Sequence, residues 1–166
     1  MDLKKIHDLL MSFCAYQDRT ELEVRKRLLK LECIDEDANL IVKMLKEDNF
    51  LNEARFVESY ISGKMSHKKW GINKVKYKLK LLGVDENLVD SGLENVDNEQ
   101  YEQTIYELCI KKMKTTKSNS TFELKTKLIN YLSSKGYEFG VLMKVVNTCI
   151  KEYQSDTNYT NDEDSY

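Results

Sequence analysis

The side chains with the strongest claim to chemistry in this sequence are lysines. Between Glu58 and Asp85 stand Lys64, Lys68, Lys69, Lys74, Lys76, Lys78 and Lys80, with no acid among them. An ammonium is a compact point charge suited to phosphate or carboxylate oxygens. Seven of them in 26 residues repel one another unless something outside the chain meets them. The next stretch reverses sign, with Asp85, Glu86, Asp90, Glu94, Asp97, Glu99, Glu102 and Glu107 before another lysine. Cations also gather at Arg19, Arg25, Lys26, Arg27 and Lys30, and at Lys111, Lys112, Lys114, Lys117, Lys125 and Lys127.

Other chemistries fail on spacing. His7 and His67 stand apart from each other and from Cys14, Cys33, Cys109 and Cys149, so neither a metal set nor a nucleophilic dyad is legible. There is no G-x-x-x-x-G-K-[ST] loop, G-x-S-x-G elbow or H-E-x-x-H pair, and the six glycines are unclustered. Catalysis, a metal and a cofactor are therefore not expected. Four scattered cysteines without a C-x-x-C pair predict buried thiols in a reducing cytoplasm.

The elements that must position these cations are helices. The chain has 166 residues, 33% charged and 41% hydrophobic, with no proline to interrupt a helix. No apolar run reaches the roughly 18 residues of a membrane span. Acid at Asp2 argues against a secretory signal. Three segments share one pattern: Val24-x-x-x-Leu28, Val75-x-x-x-Leu79 and Leu128-x-x-x-Leu132. Each is preceded by an apolar run at helical spacing: Ile6, Leu9, Leu10 and Phe13; Phe56, Val57, Tyr60 and Ile61; Tyr101, Ile105, Leu108 and Cys109. Each is followed by another: Ala38, Ile41, Val42 and Leu45; Leu88, Val89 and Leu93; Leu142, Val145, Val146 and Cys149. The expected fold is all-α, three helices repeated three times over residues 1–50, 51–96 and 97–153, with a disordered acidic tail from 154 to 166.

Boundary residues support this division. Thr20-x-x-Glu23 and Ser120-x-x-Glu123 read as capping boxes, and Asp35, Asn52, Asp85 and Asp97 suit N-caps. Gly83 and Gly136 stand where the second and third middle helices should stop, each followed by an apolar residue. Glu32 occupies the matching place in the first repeat, so that end is expected to close differently.

The run Asn49-Phe50-Leu51-Asn52-Glu53-Ala54-Arg55-Phe56-Val57-Glu58-Ser59-Tyr60 resembles the RecX family, regulators of the bacterial recombinase RecA. Lys69-Trp70-Gly71-Ile72-Asn73-Lys74-Val75 is similar to that family's opening of the second middle helix. Arg19-Thr20-Glu21-x-x-Val24-Arg25-x-x-Leu28 resembles the matching start in repeat one. The resemblance covers residues 1–153, and Glu32 departs from it where the family carries glycine. It implies an elongated, curved arrangement of the repeats. It further implies a non-enzymatic cytoplasmic protein of homologous recombination and DNA repair. Such a protein binds RecA and the groove of its filament on single-stranded DNA, blocking filament growth and damping strand exchange and ATP hydrolysis.

The expected contacts are Arg25, Lys26, Arg55, Lys68, Lys69, Lys74, Lys76, Lys80, Lys125 and Lys127, forming a positive band if the basic middle helices stack in register. Lys69, Lys76 and Lys80, at spacings of seven and four, come closest to one stripe. Arg55 has two readings, an ion pair with a local carboxylate such as Glu58 or a partner contact. Trp70, the only tryptophan, could stack on a base or partner, but at the start of a packed helix it reads rather as half-buried structure. A monomer is expected, with weak direct DNA binding. The alternatives are a sequence-independent DNA binder, which a net charge of −2 disfavours, and a helical scaffold.

Overall fold

A computed structural model of the chain describes the backbone of residues 2–162 and the side chains of residues 2–156. These residues form helices and no strand. The first three are α1 (Leu3–Tyr16), α2 (Glu21–Lys30) and α3 (Asp35–Glu47), followed by α4 (Glu53–His67), α5 (Ile72–Leu81) and α6 (Glu86–Leu93). The last three are α7 (Asn98–Thr115), α8 (Thr121–Ser134) and α9 (Phe139–Asp162). The recurring leucines, Leu28, Leu79 and Leu132, lie in α2, α5 and α8 and are fully buried.

Side-chain caps start most of these helices. The Glu23 amide donates to the Thr20 hydroxyl at 3.2 Å, and the Thr20 amide donates to the Glu23 carboxylate at 2.9 Å. Ser120 accepts from the Glu123 amide in the same way, but the Glu123 carboxylate takes the amide of Asn119. Asn52, Asp85 and Asp97 each accept from an amide of the following turn. Asp35 does not cap α3. Ile34 holds that position, and Asp35 is the first residue of α3, with a left-handed φ of 54°. It instead joins Glu36 and Asp37 on the first turn, where the helix dipole favours negative charge.

The three middle helices end alike. The amides of Gly83 and Val84 donate to the carbonyls of Lys80 and Leu79, and those of Gly136 and Tyr137 to Ser133 and Leu132. Glu32 and Cys33 make the same bonds to Leu29 and Leu28, with Glu32 forced to a φ of 57°. The first repeat thus closes by the same motif without glycine, contrary to expectation. The glycines answer a second demand. Gly83 faces Leu22 in the first turn of α2, and Gly136 faces the backbone of Lys74 in the first turn of α5. Glu32 is exposed, so only its backbone conformation is constrained.

The chain divides into two compact units. One holds Met1–Lys64 and Lys76–Asn95, the other Met65–Val75 and Val96–Tyr166. In the first, Ile6, Leu10, Val24, Leu28, Ile41 and Leu45 make a core across α1, α2 and α3, while Leu9 is half exposed. In the second, Ile105, Leu128, Leu132, Leu142 and Val146 make a core across α7, α8 and α9. Cys14, Cys33, Cys109 and Cys149 are buried free thiols. Helix α9 continues through Asp162, across much of the segment expected to be a disordered tail; no proline or glycine follows Gly140 to stop it. Residues 163–166 of that segment lie outside the described residues.

Candidate anion-binding surface

Helix α5 carries the densest charge. Its buried Val75 and Leu79 define the inward side. At about 100° per residue, Lys76 and Lys80 flank that stripe on one side and Lys74 and Lys78 on the other. The outward side presents Tyr77 and Leu81, both more than half exposed. Lys76 pairs with Asp90 at 2.8 Å. Lys80 is exposed and lines a shallow depression with Tyr77, Val84 and Val89. Lys69 is not aligned with them by helical periodicity. It precedes α5 and has a left-handed φ of 54°, so the seven-residue spacing does not run along a helix.

Other expected contacts are tied into the protein. Arg55 donates to Asp18 at 2.7 Å and to the carbonyl of Asn49 at 3.2 Å, clamping the entry to α4. Its carboxylate partner is Asp18, thirty-seven residues away in sequence, rather than Glu58. Arg25 donates to Glu21 at 2.7 Å and to Asn39 at 3.0 Å. Lys127 pairs with Glu123 at 2.7 Å and donates to the Lys117 carbonyl at 2.7 Å. Lys26 and Lys68 are exposed, and Lys125 is half-buried.

A different set of cations is held by aromatic rings. The Lys74 ammonium lies 4.8 Å from the centre of the Trp70 ring. The ammonium groups of Lys112 and Lys135 lie 4.8 and 5.6 Å from the centre of the Tyr131 ring. Burial, and then the positive charge of Lys74, hold the Lys135 ammonium pKa below its ordinary value. Trp70 and Tyr131 are half-buried. Lys112, Lys135 and Tyr131 were not among the expected contacts. The i,i+4 spacing of Trp70 with Lys74 and of Tyr131 with Lys135 was their legible sign; nothing in sequence brings Lys112 to them.

A backbone joint fixes this cluster. The amides of Gly71 and Asn73, at the start of α5, donate to the carbonyls of Lys135 and Gly136 at 2.8 and 3.0 Å. The carbonyls that end α8 thus satisfy amides that begin α5, and the opposed helix dipoles meet favourably. The Ile72 amide donates to the Tyr101 hydroxyl at 3.0 Å, which donates in turn to Glu138 at 2.6 Å. Burial first, and then Glu138, push the Tyr101 phenol far above its ordinary range, so it stays a donor. Tyr137 donates to the Lys69 carbonyl at 2.8 Å. Among the described residues no cluster of His, Cys, Asp and Glu could hold a metal ion, and no helix is long and apolar enough to cross a membrane.

Comparison with known proteins adds a family. Residues 52–93 match the description "RecX, second three-helix domain" and residues 99–146 "RecX, third three-helix domain". Regulatory protein RecX of Clostridium perfringens strain 13 is 32% identical over 130 residues, covering 77% of this chain and 60% of that protein. Regulatory protein RecX of Streptomyces coelicolor is 25% identical over 145 residues, covering 87% and 77%. The chain spans about 60% of the length of the clostridial relatives. The crystal structure of RecX from Lactobacillus salivarius has the same fold, with a TM-score of 0.83 at 20% identity, covering 89% of this chain and 96% of that one.

Proposed function

Because this chain belongs to the RecX family, we propose that it regulates the RecA recombinase, binding RecA and the groove of its filament on single-stranded DNA. On this reading it is a non-enzymatic, cytoplasmic monomer that needs no cofactor. By occupying the filament it limits growth, damps strand exchange and slows ATP hydrolysis.

The observation that carries the reading is the unbroken order of the two domain matches, second then third, over residues 52–146. A filament on single-stranded DNA carries phosphates, and the exposed lysines of this chain suit them through their charge. The test is titration of the full chain into pre-formed RecA filaments on single-stranded DNA, following ATP hydrolysis and filament length. Hydrolysis should fall and filaments shorten at sub-stoichiometric to stoichiometric protein. No effect at stoichiometric levels removes the reading.

A further inference from the structure

We propose that Cys109 and Cys149 form a redox site, at which hydrogen peroxide joins the two buried thiols in a reversible disulfide that ties α7 to α9. The site lies wholly within the compact unit of residues 65–75 and 96–166. It does not depend on what the chain regulates.

Register between the two helices is the first argument. Glu102 and Lys144 pair at 2.8 Å, and the Tyr106 hydroxyl donates to Glu152 at 2.7 Å. Cys109 follows Tyr106 by about one turn, and Cys149 precedes Glu152 by about one turn. The two thiols meet in that register, and the Cys109 thiol donates a hydrogen bond to the Cys149 sulfur. Both are fully buried in the core that also holds Ile105, Val145 and Val146. Sulfurs already linked through one hydrogen need little rearrangement to be bonded directly. Cys14 and Cys33 belong to the other unit.

The shared hydrogen bond also sorts the pair chemically. Accepting it lowers the Cys149 pKa, while donating it, and then burial, raise that of Cys109. The acceptor sulfur is the better nucleophile, and the donor keeps a proton for the leaving group. In the first step the Cys149 sulfur attacks one peroxide oxygen and the O–O bond breaks. The departing hydroxide takes the Cys149 thiol proton as water, leaving a sulfenic acid. In the second step the Cys109 sulfur displaces hydroxide from that sulfenic acid. The S–S bond forms, and the Cys109 proton leaves with the hydroxide as a second water. The two thiols lose two electrons and the peroxide gains them; a dithiol returns them by exchange. Such transient disulfides are the kind found in reducing compartments.

Access is the third argument. Tyr106, Val145 and Thr148 help to line a depression of about 300 Å³ over α7 and α9. Peroxide, little larger than water, fits such a space. The Tyr106–Glu152 bond spans the helices one turn from each thiol and restrains their parting. That hydrogen bond, more than burial, pushes the Tyr106 phenol up to about 12, so it stays a donor near neutrality.

The reduced full chain is treated with hydrogen peroxide and followed by intact mass, non-reducing peptide mapping and thermal unfolding. The chain should lose two hydrogens, the Cys109 and Cys149 peptides should be joined, and the thermal midpoint should rise by about 5–10 °C. Dithiothreitol should reverse all three. Cys149→Ala, which removes the nucleophile, should abolish the joining and the rise. Tyr106→Phe keeps both thiols and should speed the joining severalfold with its circular dichroism unchanged. It serves as a test even where the core substitution fails to fold. Oxygen added without joined peptides overturns the proposal, as does a bridge through Cys14 or Cys33. So does a joined pair with an unchanged midpoint, or a Tyr106→Phe rate equal to the parent's. No recombinase enters the experiment, so its failure would leave the regulatory reading standing.

Discussion

The amide nitrogen of Gly71 lies 2.8 Å from the carbonyl oxygen of Lys135, and that bond joins the start of α5 to the end of α8. The two backbones approach so closely that a Cβ on Gly71 would fall on the Gly136 carbonyl group and the Tyr137 nitrogen. Backbone atoms cannot rotate aside as a flexible side chain can. Gly71→Ala should therefore destabilise the unit of residues 65–75 and 96–166 by about 1–3 kcal/mol. Urea unfolding followed by Trp70 emission measures this. A midpoint equal to that of the parent protein would show that the joint is loose.

Tyr101 serves the same joint with a side chain. Its hydroxyl accepts from the Ile72 amide and donates to Glu138. Tyr101→Phe keeps the ring and leaves both partners with unmet hydrogen bonds, one of them a carboxylate. The expected loss is about 1–3 kcal/mol, and Glu138→Gln in the same background should add less than it does alone. Strict additivity of the two substitutions in urea unfolding would argue against one shared network.

Much of the architecture was legible because the apolar periodicity reports burial directly. The recurring leucines mark the middle helices, and capping by Thr20, Ser120, Asp85 and Asp97 is local enough to read from a few residues. What escaped depends on contacts distant in sequence. Arg55 reaches Asp18, and Lys112 reaches Tyr131 from another helix. Lys69 misled because helical spacing was extended past the start of α5. The Trp-Gly pair was visible as a motif, but its role in letting two backbones meet needed the position of Gly136.

Glu32 makes the opposite case to Gly71. It occupies a left-handed conformation with a φ of 57° and is exposed. A left-handed non-glycine residue is strained, and part of the relief is offset by glycine's greater freedom when unfolded. Glu32→Gly should stabilise the protein by about 0.5–1 kcal/mol. Gly83→Ala should do the reverse, since it combines a φ of 73° with contact against Leu22. Thermal midpoints moving in these opposite directions are the expected result; a drop for Glu32→Gly would contradict the strain argument.

Acid should weaken the unit that contains α2. Burial tends to raise the Glu21 carboxyl pKa, but hydrogen bonds from Lys46 and Arg25 outweigh it and the net shift is downward. A carboxyl with a depressed folded pKa contributes stability above its unfolded value of about 4.3, lost as pH falls through the folded value. Glu21→Gln should be less stable than the parent near neutrality. The difference in urea midpoint should hold down to about pH 5 and shrink from there to about pH 3 as the parent's carboxyl protonates. A gap that stays constant over that range would assign the loss to something other than ionisation.

Charge already cancelled inside the protein has little left to offer a partner. Lys127 is held by Glu123 and by the Lys117 carbonyl. Lys80 is exposed on α5, and the nearby Asp90 is engaged by Lys76. Reversal at Lys80 removes an exposed cation that has no ion pair among the described residues and presents an anion to the filament. Reversal at Lys127 first costs a surface ion pair, itself worth no more than about 1 kcal/mol. Lys80→Glu should thus raise the concentration needed to inhibit RecA-dependent ATP hydrolysis severalfold, and Lys127→Glu should change it less, with the helical circular dichroism of both intact. The ordering, rather than either value, is diagnostic: equal effects would mean that total charge matters and the pairing seen in the structure does not.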